Sequence, residues 1–591
     1  MIHSPKGGAF IMVGKFAGVS EEMRKAFVRH PNCMIINHQY GYMSKPKKKG
    51  ERAVFVPCGS AVEVEKVLIE LETMKRVLKV RVYDCKGNGT EVDIPRNMLT
   101  EQNILNLTEY GAQVDKQTAS TLIKCIENEE TDAPEAFQHK WLGFSLYDNE
   151  QIFKGYKGYG IASEYVGGLE IEPRGSMRVW KKMVKEEVLG TPLEVVLVGA
   201  LSAVVLDYIH QDYPTDNILM SLVGNSSSGK TTALNLAVSA GARPFSSGKS
   251  FMMSFIDTEL SIIHKISSAY PAGIDEFTAV NHKSMTKFLY SIANGSERSR
   301  MNKKMDIMET NEFHTSVFMS SECSILSSAD DYEGLRARVM EFEGIQWTKS
   351  AQSADAIKKA SLSNYGWAVP LMAQYLLNNE RKSLVELCEK ETASFLENIE
   401  KENPLMIRMA RKVGIILATA NIAKKALKIS FDIEMIKRFF YENLRLNKED
   451  FDIGLKAYDA IIAYVIERPD EFGGTINNSK VPVTETYYKS GKFKKSKCVV
   501  LYDGTISEYA VFIKEYTFNG ILEKKGIRDS KVILHRLREL GLLVSEKDRL
   551  KSKESLGLDD TFVSGYTVRI KKGDKESDAS ITDTNAKKKG R

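Results

Sequence analysis

Residues 218 to 241 constrain this chain more than any other stretch. Ile218, Leu219, Met220, Leu222 and Val223 form an apolar run of the length of one buried strand. The run leads directly into Gly224-Asn225-Ser226-Ser227-Ser228-Gly229-Lys230-Thr231-Thr232. A helical pattern follows, with Leu234 and Ala237 on one face and Gly241 at its end. Strand, glycine loop and helix in that order commit the region to an α/β core. A loop that holds nucleotide phosphates needs backbone N–H groups turned inward, and glycine lets the backbone approach closely. At this spacing Lys230 reaches β- and γ-phosphates and the Thr231 hydroxyl is a magnesium ligand. The helix adds the positive end of its dipole. Gly224 through Thr232 are therefore the candidate nucleotide-binding residues, with ATP as ligand and Mg²⁺ as its ion.

Hydrolysis at such a loop requires one carboxylate for the metal and another for water. Asp275-Glu276 lies 45 residues past Lys230, after Tyr270-Pro271-Ala272-Gly273-Ile274. Asp275 is the candidate metal ligand and Glu276 the candidate base, although Pro271 and Gly273 depart from the aliphatic run expected there. Ser316-Val317-Phe318-Met319 reads as a further buried strand ending in Ser320-Ser321-Glu322. Ser320 is the candidate polar group between γ-phosphate and water. Arg336 and Arg338 follow, and Arg338 is the candidate finger for phosphate charge, Arg336 the alternative. Arg408 and Arg411 read as a solvated helix face.

Length and composition frame these motifs. With 591 residues, three to five domains are expected, and 43% hydrophobic with 27% charged residues fits a folded, water-exposed protein. The net charge of +6 comes from 83 basic and 77 acidic residues, so any nucleic-acid surface must arise from clustering. The seven cysteines form no CxxC pair, which predicts reduced, mostly buried thiols and neither a zinc site nor a disulfide framework. No signal-peptide pattern and no membrane-length apolar run stand out, so a cytoplasmic chain without membrane contact is expected.

The pattern divides the chain into an N-terminal α+β domain over 1–126, an ATPase core over 139–350, a helical lid over 351–468, a winged helix over 500–570 and a disordered tail over 571–591. In the first, Leu78, Val80 and Val82 alternate with Lys79, Arg81 and Tyr83, and Lys86-Gly87-Asn88-Gly89 turns the chain into a second strand. The acidic stretch Glu127 to Glu135 reads as a linker, as does the basic stretch 470–500. Trp180 to Ile209 reads as one long helix. Residues 351–465 read as helices, with a break at Asn403-Pro404.

Four basic groups are candidates for nucleic acid. Arg298, Arg300, Lys303 and Lys304 lie between the acidic pair and the Ser320 strand, where a hairpin would point into the channel of a ring. In the C-terminal unit, Ile533, Leu537 and Leu540 form one helix face, while Lys531, His535 and Arg538 form another at the same spacing. Asp529 is the expected N-cap, and Gly541 ends the helix. Arg549, with Lys547, Lys551 and Lys553, falls near the expected tip of a following hairpin. This is helix-turn-helix with a wing, which reads DNA and in other proteins binds proteins. The runs Lys45 to Arg52 and Lys489 to Lys497 are weaker candidates, since such runs are commonly solvated linkers.

The order of parts is specific: Trp141-Leu142-Gly143-Phe144, helices, the Gly224 loop, Asp275-Glu276, Asn294-Gly295 with Arg298 and Arg300, Ser320-Ser321-Glu322, Arg338, helical lid, winged helix. It resembles the domain-of-unknown-function 927 ATPases and, more closely, is similar to the cassette chromosome helicases carried by staphylococcal mobile elements. The resemblance covers about 140 to 570 and matches the N-terminal domain only loosely. It implies a multidomain α/β chain with an AAA+ module like that of the MCM replicative helicases, a homo-hexameric ring, and ATP-driven translocation and unwinding of single- and double-stranded DNA. It further implies a role in replicating the element beside its other replication proteins. On this likeness Lys230, Thr231, Asp275 and Glu276 carry the ATP chemistry, and Arg338 stands at the finger position. An ATP-switched DNA-binding initiator without unwinding is the alternative. A primase-helicase fusion would need a carboxylate cluster within 1–126, and none is convincing.

Overall fold

The computed structural model describes residues 30–46, 50–276, 282–296, 312–326, 332–397, 399, 404–444, 453–468, 471–472, 475–476, 479–480, 489–500, 506–524, 530–546, 549–555 and 562–570. The N-terminal unit begins with β1 (Cys33–Ile36), β2 (Gln39–Met43) and β3 (Phe55–Ser60), an antiparallel meander. Next come β4 (Val62–Glu70), β5 (Arg76–Tyr83) and β6 (Gly89–Pro95), then helix α1 (Ala119–Asp132), β7 (Glu135–His139), β8 (Gly143–Tyr147), β9 (Glu150–Lys154), β10 (Gly158–Tyr159) and β11 (Ser163–Tyr165). Leu78, Val80 and Val82 are fully buried, as their alternation predicts. Asp84 accepts bonds from the backbone N–H groups of Lys86 and Asn88, each at 2.8 Å, and so closes the β5–β6 turn.

The acidic stretch is not a linker. Its residues Glu127 to Asp132 form the last turns of α1, where Arg96 pairs with Glu127 at 3.2 Å and Glu130 at 2.8 Å, and Glu135 opens β7. Leu122, Cys125 and Ile126 bury the opposite face of that helix. A helix can carry many carboxylates when one stripe packs and a guanidinium sits beside the others. The chain then continues the N-terminal sheet, whose order is β11-β7-β4-β5-β6, so β7 and β11 lie well beyond residue 126.

The expected long helix is also interrupted. Helix α2 (Met177–Met183) runs into a π-helical turn over Val184–Val188, and α3 (Leu193–Ile209) begins after Gly190-Thr191-Pro192. Pro192 suits a helix start and cannot continue the preceding helix. All of α3 is buried. A helix apolar around its whole circumference needs cover on every side, and α3 takes it from the core sheet and the helices of the lid.

The core sheet contains β12 (Ile218–Val223), followed by α4 (Lys230–Ser239), β13 (Met252–Ser254), α5 (Glu259–Lys265), β14 (Ala272–Asp275), α6 (His282–Asn294), β15 (Ser316–Ser321), α7 (Tyr332–Arg336) and β16 (Val339–Glu343). Its order is β13-β14-β15-β12-β16, and every pairing is parallel. Gly273 departs from an aliphatic strand because a Cβ there would stand 3.0 Å from Met252 Sδ and 3.4 Å from Leu234 Cβ, so the missing side chain lets α4 lie close on β14.

Among the described residues six more helices follow: α8 (Ala351–Ser363), α9 (Ala368–Leu377), α10 (Arg381–Leu396), α11 (Pro404–Ala426), α12 (Ile433–Asn443) and α13 (Ile453–Glu467). Helix α13 departs from the expected lid. Its Ala457, Ile461 and Val465 join one apolar core with Phe518, Leu522, Leu537 and Val568 of the C-terminal unit. That unit comprises β17 (Thr475–Ile476), β18 (Ser479–Lys480), β19 (Gly491–Val500), β20 (Ile506–Lys514), α14 (Glu515–Lys524), α15 (Ser530–Glu539), β21 (Leu543–Val544), β22 (Ser552–Ser555) and β23 (Phe562–Ile570). The basic stretch 470–500 therefore contributes a ten-residue strand paired with β20 rather than a linker alone.

Among the described residues no helix is long and apolar enough to cross a membrane. Of the six cysteines whose side chains are described, Cys125 and Cys388 are buried, Cys33 and Cys58 partly so, and Cys85 and Cys323 exposed, so these thiols are less buried than expected.

Candidate nucleotide and nucleic-acid sites

Parallel pairing aligns the C-terminal ends of β12, β14 and β15 along one edge, the edge where α/β sheets bind ligands. The glycine loop leaves β12 there. Ser227 (φ 73°) and Gly229 (φ 86°) take left-handed conformations that curl its backbone. At Gly229 a Cβ would also stand 2.8 Å from the Thr348 side chain, so glycine is required twice over. Lys230 Nζ donates to the carbonyls of Gly224 at 2.7 Å and Asn225 at 2.8 Å, holding the ammonium inside the curl. Beneath the loop, Gly344 N–H donates to Val223 at 3.0 Å and Trp347 N–H to Ser228 at 2.9 Å. Trp347 is fully buried against Phe342 and Phe439, so the lid helix α12 supports the loop through this strap.

Asp275 ends β14 beside the loop. The Thr231 hydroxyl lies 3.4 Å from Asp275 Oδ1, and the Ser320 hydroxyl donates to the same oxygen. Ser320 reaches it because β15 is inserted between β12 and β14. Glu276 is exposed and holds φ 60°, with its N–H 3.2 Å from both Ser320 Oγ and Asp275 Oδ1. A non-glycine residue in this conformation is uncommon, and such residues concentrate at functional sites. The sheet thus brings Lys230, Thr231, Asp275, Glu276 and Ser320 together. A hydroxyl and a carboxylate presented side by side are hard oxygen donors of the kind magnesium takes, and the curled loop with its ammonium suits a polyphosphate. The residues present fit ATP with Mg²⁺.

Two contributors escape sequence reasoning. Glu322 accepts a bond from Ser226 Oγ at 2.9 Å and so ties the β15 end to the loop. Half-buried Glu341 on β16 accepts from Ile325 N–H at 2.9 Å and from the Ser324 hydroxyl, fixing the turn beyond Glu322. Burial raises its pKa, and those same bonds offset part of the rise. A glutamate set between the apolar Met340 and Phe342 was the available signal.

Arg338 lies away from this cluster. It precedes β16, whose Val339 pairs with Leu219 near the start of β12, whereas the loop follows Val223. At about 3.3 Å per residue the two ends of β12 are roughly 16 Å apart. Arg338 Nη1 donates to Gly334 O at 3.0 Å, and its guanidinium lies 4.7 Å from the centre of the Tyr290 ring. Its Nε is 3.8 Å from Asp216, which stands equally far from Arg408 Nε.

Arg298, Arg300, Lys303 and Lys304 lie outside the described residues, as do Asp529 and Lys547. In the C-terminal unit, Ile533 and Leu537 are buried, Leu540 is partly so, and Lys531, His535 and Arg538 are exposed, so the two faces of α15 divide as the spacing predicts. Arg549 is exposed but sits before β22, bridged to Glu546, rather than near the tip of the β22–β23 hairpin. Lys551 is paired with Glu515 at 2.6 Å.

Fold and site define a multidomain α/β protein in which a glycine loop leaves the C-terminal edge of a parallel sheet and a helix-turn-helix unit lies in the C-terminal part. Residues 38–312 match the family described as Domain of unknown function (DUF927), and residues 452–572 match the Cch helix turn helix domain. The second match begins at α13, in keeping with that helix packing into the C-terminal core. A solved structure described as "SCCmec type IV Cch - active helicase" is similar with a TM-score of 0.71 and 22% identity, over 91% of this chain and 97% of that one. At that identity the likeness is one of fold. No curated protein sequence matches the chain.

Proposed function

We propose that this chain is an ATP-driven DNA helicase, an AAA+ homo-hexameric ring that loads itself, translocates on single strands and separates duplex DNA. Its setting is the cytoplasmic replication of a mobile genetic element, beside that element's own replication proteins. The observation that carries the reading is the meeting of Thr231, Asp275, Glu276 and Ser320 at the mouth of the Lys230 loop. The fold shared with a structure described as an active helicase supports the choice of motor, and the helix-turn-helix match supports DNA as its track.

In this reading Gly224 to Gly229 offer backbone N–H groups to phosphates, and Lys230 exchanges its carbonyl partners for phosphate oxygens. Thr231 and Asp275 hold the magnesium ion, which when bound offsets phosphate charge. Ser320 keeps Asp275 turned toward that position. Glu276 orients water and accepts its proton. Arg338 serves the loop of the neighbouring subunit, because its own lies at the other end of β12. Lys531, His535, Arg538 and Arg549 face duplex DNA, and Arg298, Arg300, Lys303 and Lys304 track the strand in the channel.

The test measures ATP hydrolysis with and without single-stranded DNA, and strand separation on a forked duplex. Stimulated hydrolysis with unwinding, both lost in a folded Lys230→Ala variant, is the expected result. ATP-dependent DNA binding with no unwinding on any fork would replace this reading with the switched initiator.

A further inference from the structure

Lys412 lies on α11 and is completely buried. Lysine is almost never found there without a partner. Its Nζ donates at 2.8 Å to the backbone carbonyl of Arg338. The charged groups facing it are Asp216, just ahead of β12, Arg338, just ahead of β16, and Arg408, one turn earlier on α11. Asp216 Oδ2 lies 3.8 Å from both Arg338 Nε and Arg408 Nε. Arg338 is thus held at its peptide by the lid and at its guanidinium by the carboxylate and by Tyr290. Burial lowers the Lys412 pKa to about 7, with Asp216 opposing the shift and Arg338 and Arg408 adding to it. Keeping a cation in such a place is costly, and a methionine of similar length would fill the space without that cost.

We propose that Lys412 and Asp216 are positioning residues that clamp Arg338 to lid helix α11, so that the lid of one subunit sets the aim of the arginine it offers to its neighbour. This rests on the reading of Arg338 as a finger acting between subunits. Both residues meet Arg338 at the end of β12 away from the glycine loop, so both act through Arg338.

Three variants separate the possibilities. Lys412→Met keeps the stem and removes the ammonium. Its hydrolysis falls on the order of a hundredfold, the cost of misplacing a catalytic group by about 1 Å, while binding of a fluorescent ATP analogue is retained. Mixed with Lys230→Ala, it regains hydrolysis, because its intact loop meets an intact neighbouring clamp. Mixed with Arg338→Ala, it stays dead, because both subunits lack a working finger. A merely structural lysine would damage its own subunit and would not be rescued by Lys230→Ala. The control mixture of Arg338→Ala with Lys230→Ala must itself recover. If the control recovers and the Lys412→Met mixture does not, the clamp is wrong and the finger stands. If neither recovers, both readings fall. Should Lys412→Met not fold, the same mixtures with Asp216→Asn decide on the same outcomes.

Discussion

At the residue scale the site depends on two oxygens of different duty. Asp275 is satisfied by Ser320 and faces Thr231, whereas Glu276 is exposed and turned out by its left-handed backbone. Glu276→Gln keeps the shape and removes the proposed base. It should bind ATP normally and hydrolyse it on the order of a hundredfold or more slowly, the usual contribution of a positioned acid–base group. Lost ATP binding in a folded Glu276→Gln chain would assign the residue a structural role. A second carboxylate matters for stability. Asp207 is fully buried and accepts the Phe144 N–H at 2.7 Å, and burial raises its pKa from 3.8 to about 7. The folded chain therefore holds this proton more tightly than the unfolded one. Stability falls as pH rises from about 3.8 to about 7, and the loss is complete above that. Asp207→Asn should remove this slope, which denaturant unfolding of both proteins at pH 5 and pH 8 would read. The difference between them should grow toward pH 8 by a few kcal/mol, at about 1.4 kcal/mol per pKa unit. An equal difference at both values would show that Asp207 is ionised when folded.

At the element scale, burial decides where units end. The apolar stripe of α13 covers the C-terminal core, although the chain around it reads as a continuation of the lid. A chain ending near residue 470 keeps α13 without its partners and exposes Ala457, Ile461 and Val465. It should self-associate, while a chain ending near residue 445 should stay dispersed and keep its hydrolysis, both read by light scattering at matched concentration. Equal dispersion of the two would place α13 with the lid. Both shortened chains should lose duplex affinity when compared at matched salt.

At the scale of the whole molecule, Arg338 stands apart from its own loop, so on the proposed reading a complete catalytic set belongs to two subunits. Lys230→Ala and Arg338→Ala should each be inactive, and a mixture should recover part of the wild-type rate at interfaces where an intact loop meets an intact arginine. The loss in Arg338→Ala alone should be about a thousandfold or more. No recovery, with mixed rings verified by tagging, would transfer the role to Arg336 or end the assignment between subunits.

Much of the candidate site was legible because the chemistry proposed for it depends on short spacings. On the proposed reading Gly224, Gly229, Lys230 and Thr231 must be near neighbours in sequence to surround one phosphate chain. The alternation around Leu78 and the two faces of α15 were legible for the same reason, since local periodicity writes itself into residue order. Departures such as Gly273 were visible but unexplained until α4 was seen lying on β14. Other features depend on partners distant in sequence. The acidic run became a helix because Arg96 and a buried stripe of its own organise it, and Glu341, Asp216 and Lys412 have meaning only through residues brought to them by the sheet and the lid. Lys412 stood among Met409, Val413 and Ile416, a buried face on which a cation signals a hidden partner. Residue order determined the loop, its strand and helix, and the amphipathic faces, because these need only neighbours within a few residues. Tertiary packing decided which unit claims α13, why β15 places Ser320 beside Asp275, and where Arg338 stands, because each depends on burial and pairing between segments many residues apart.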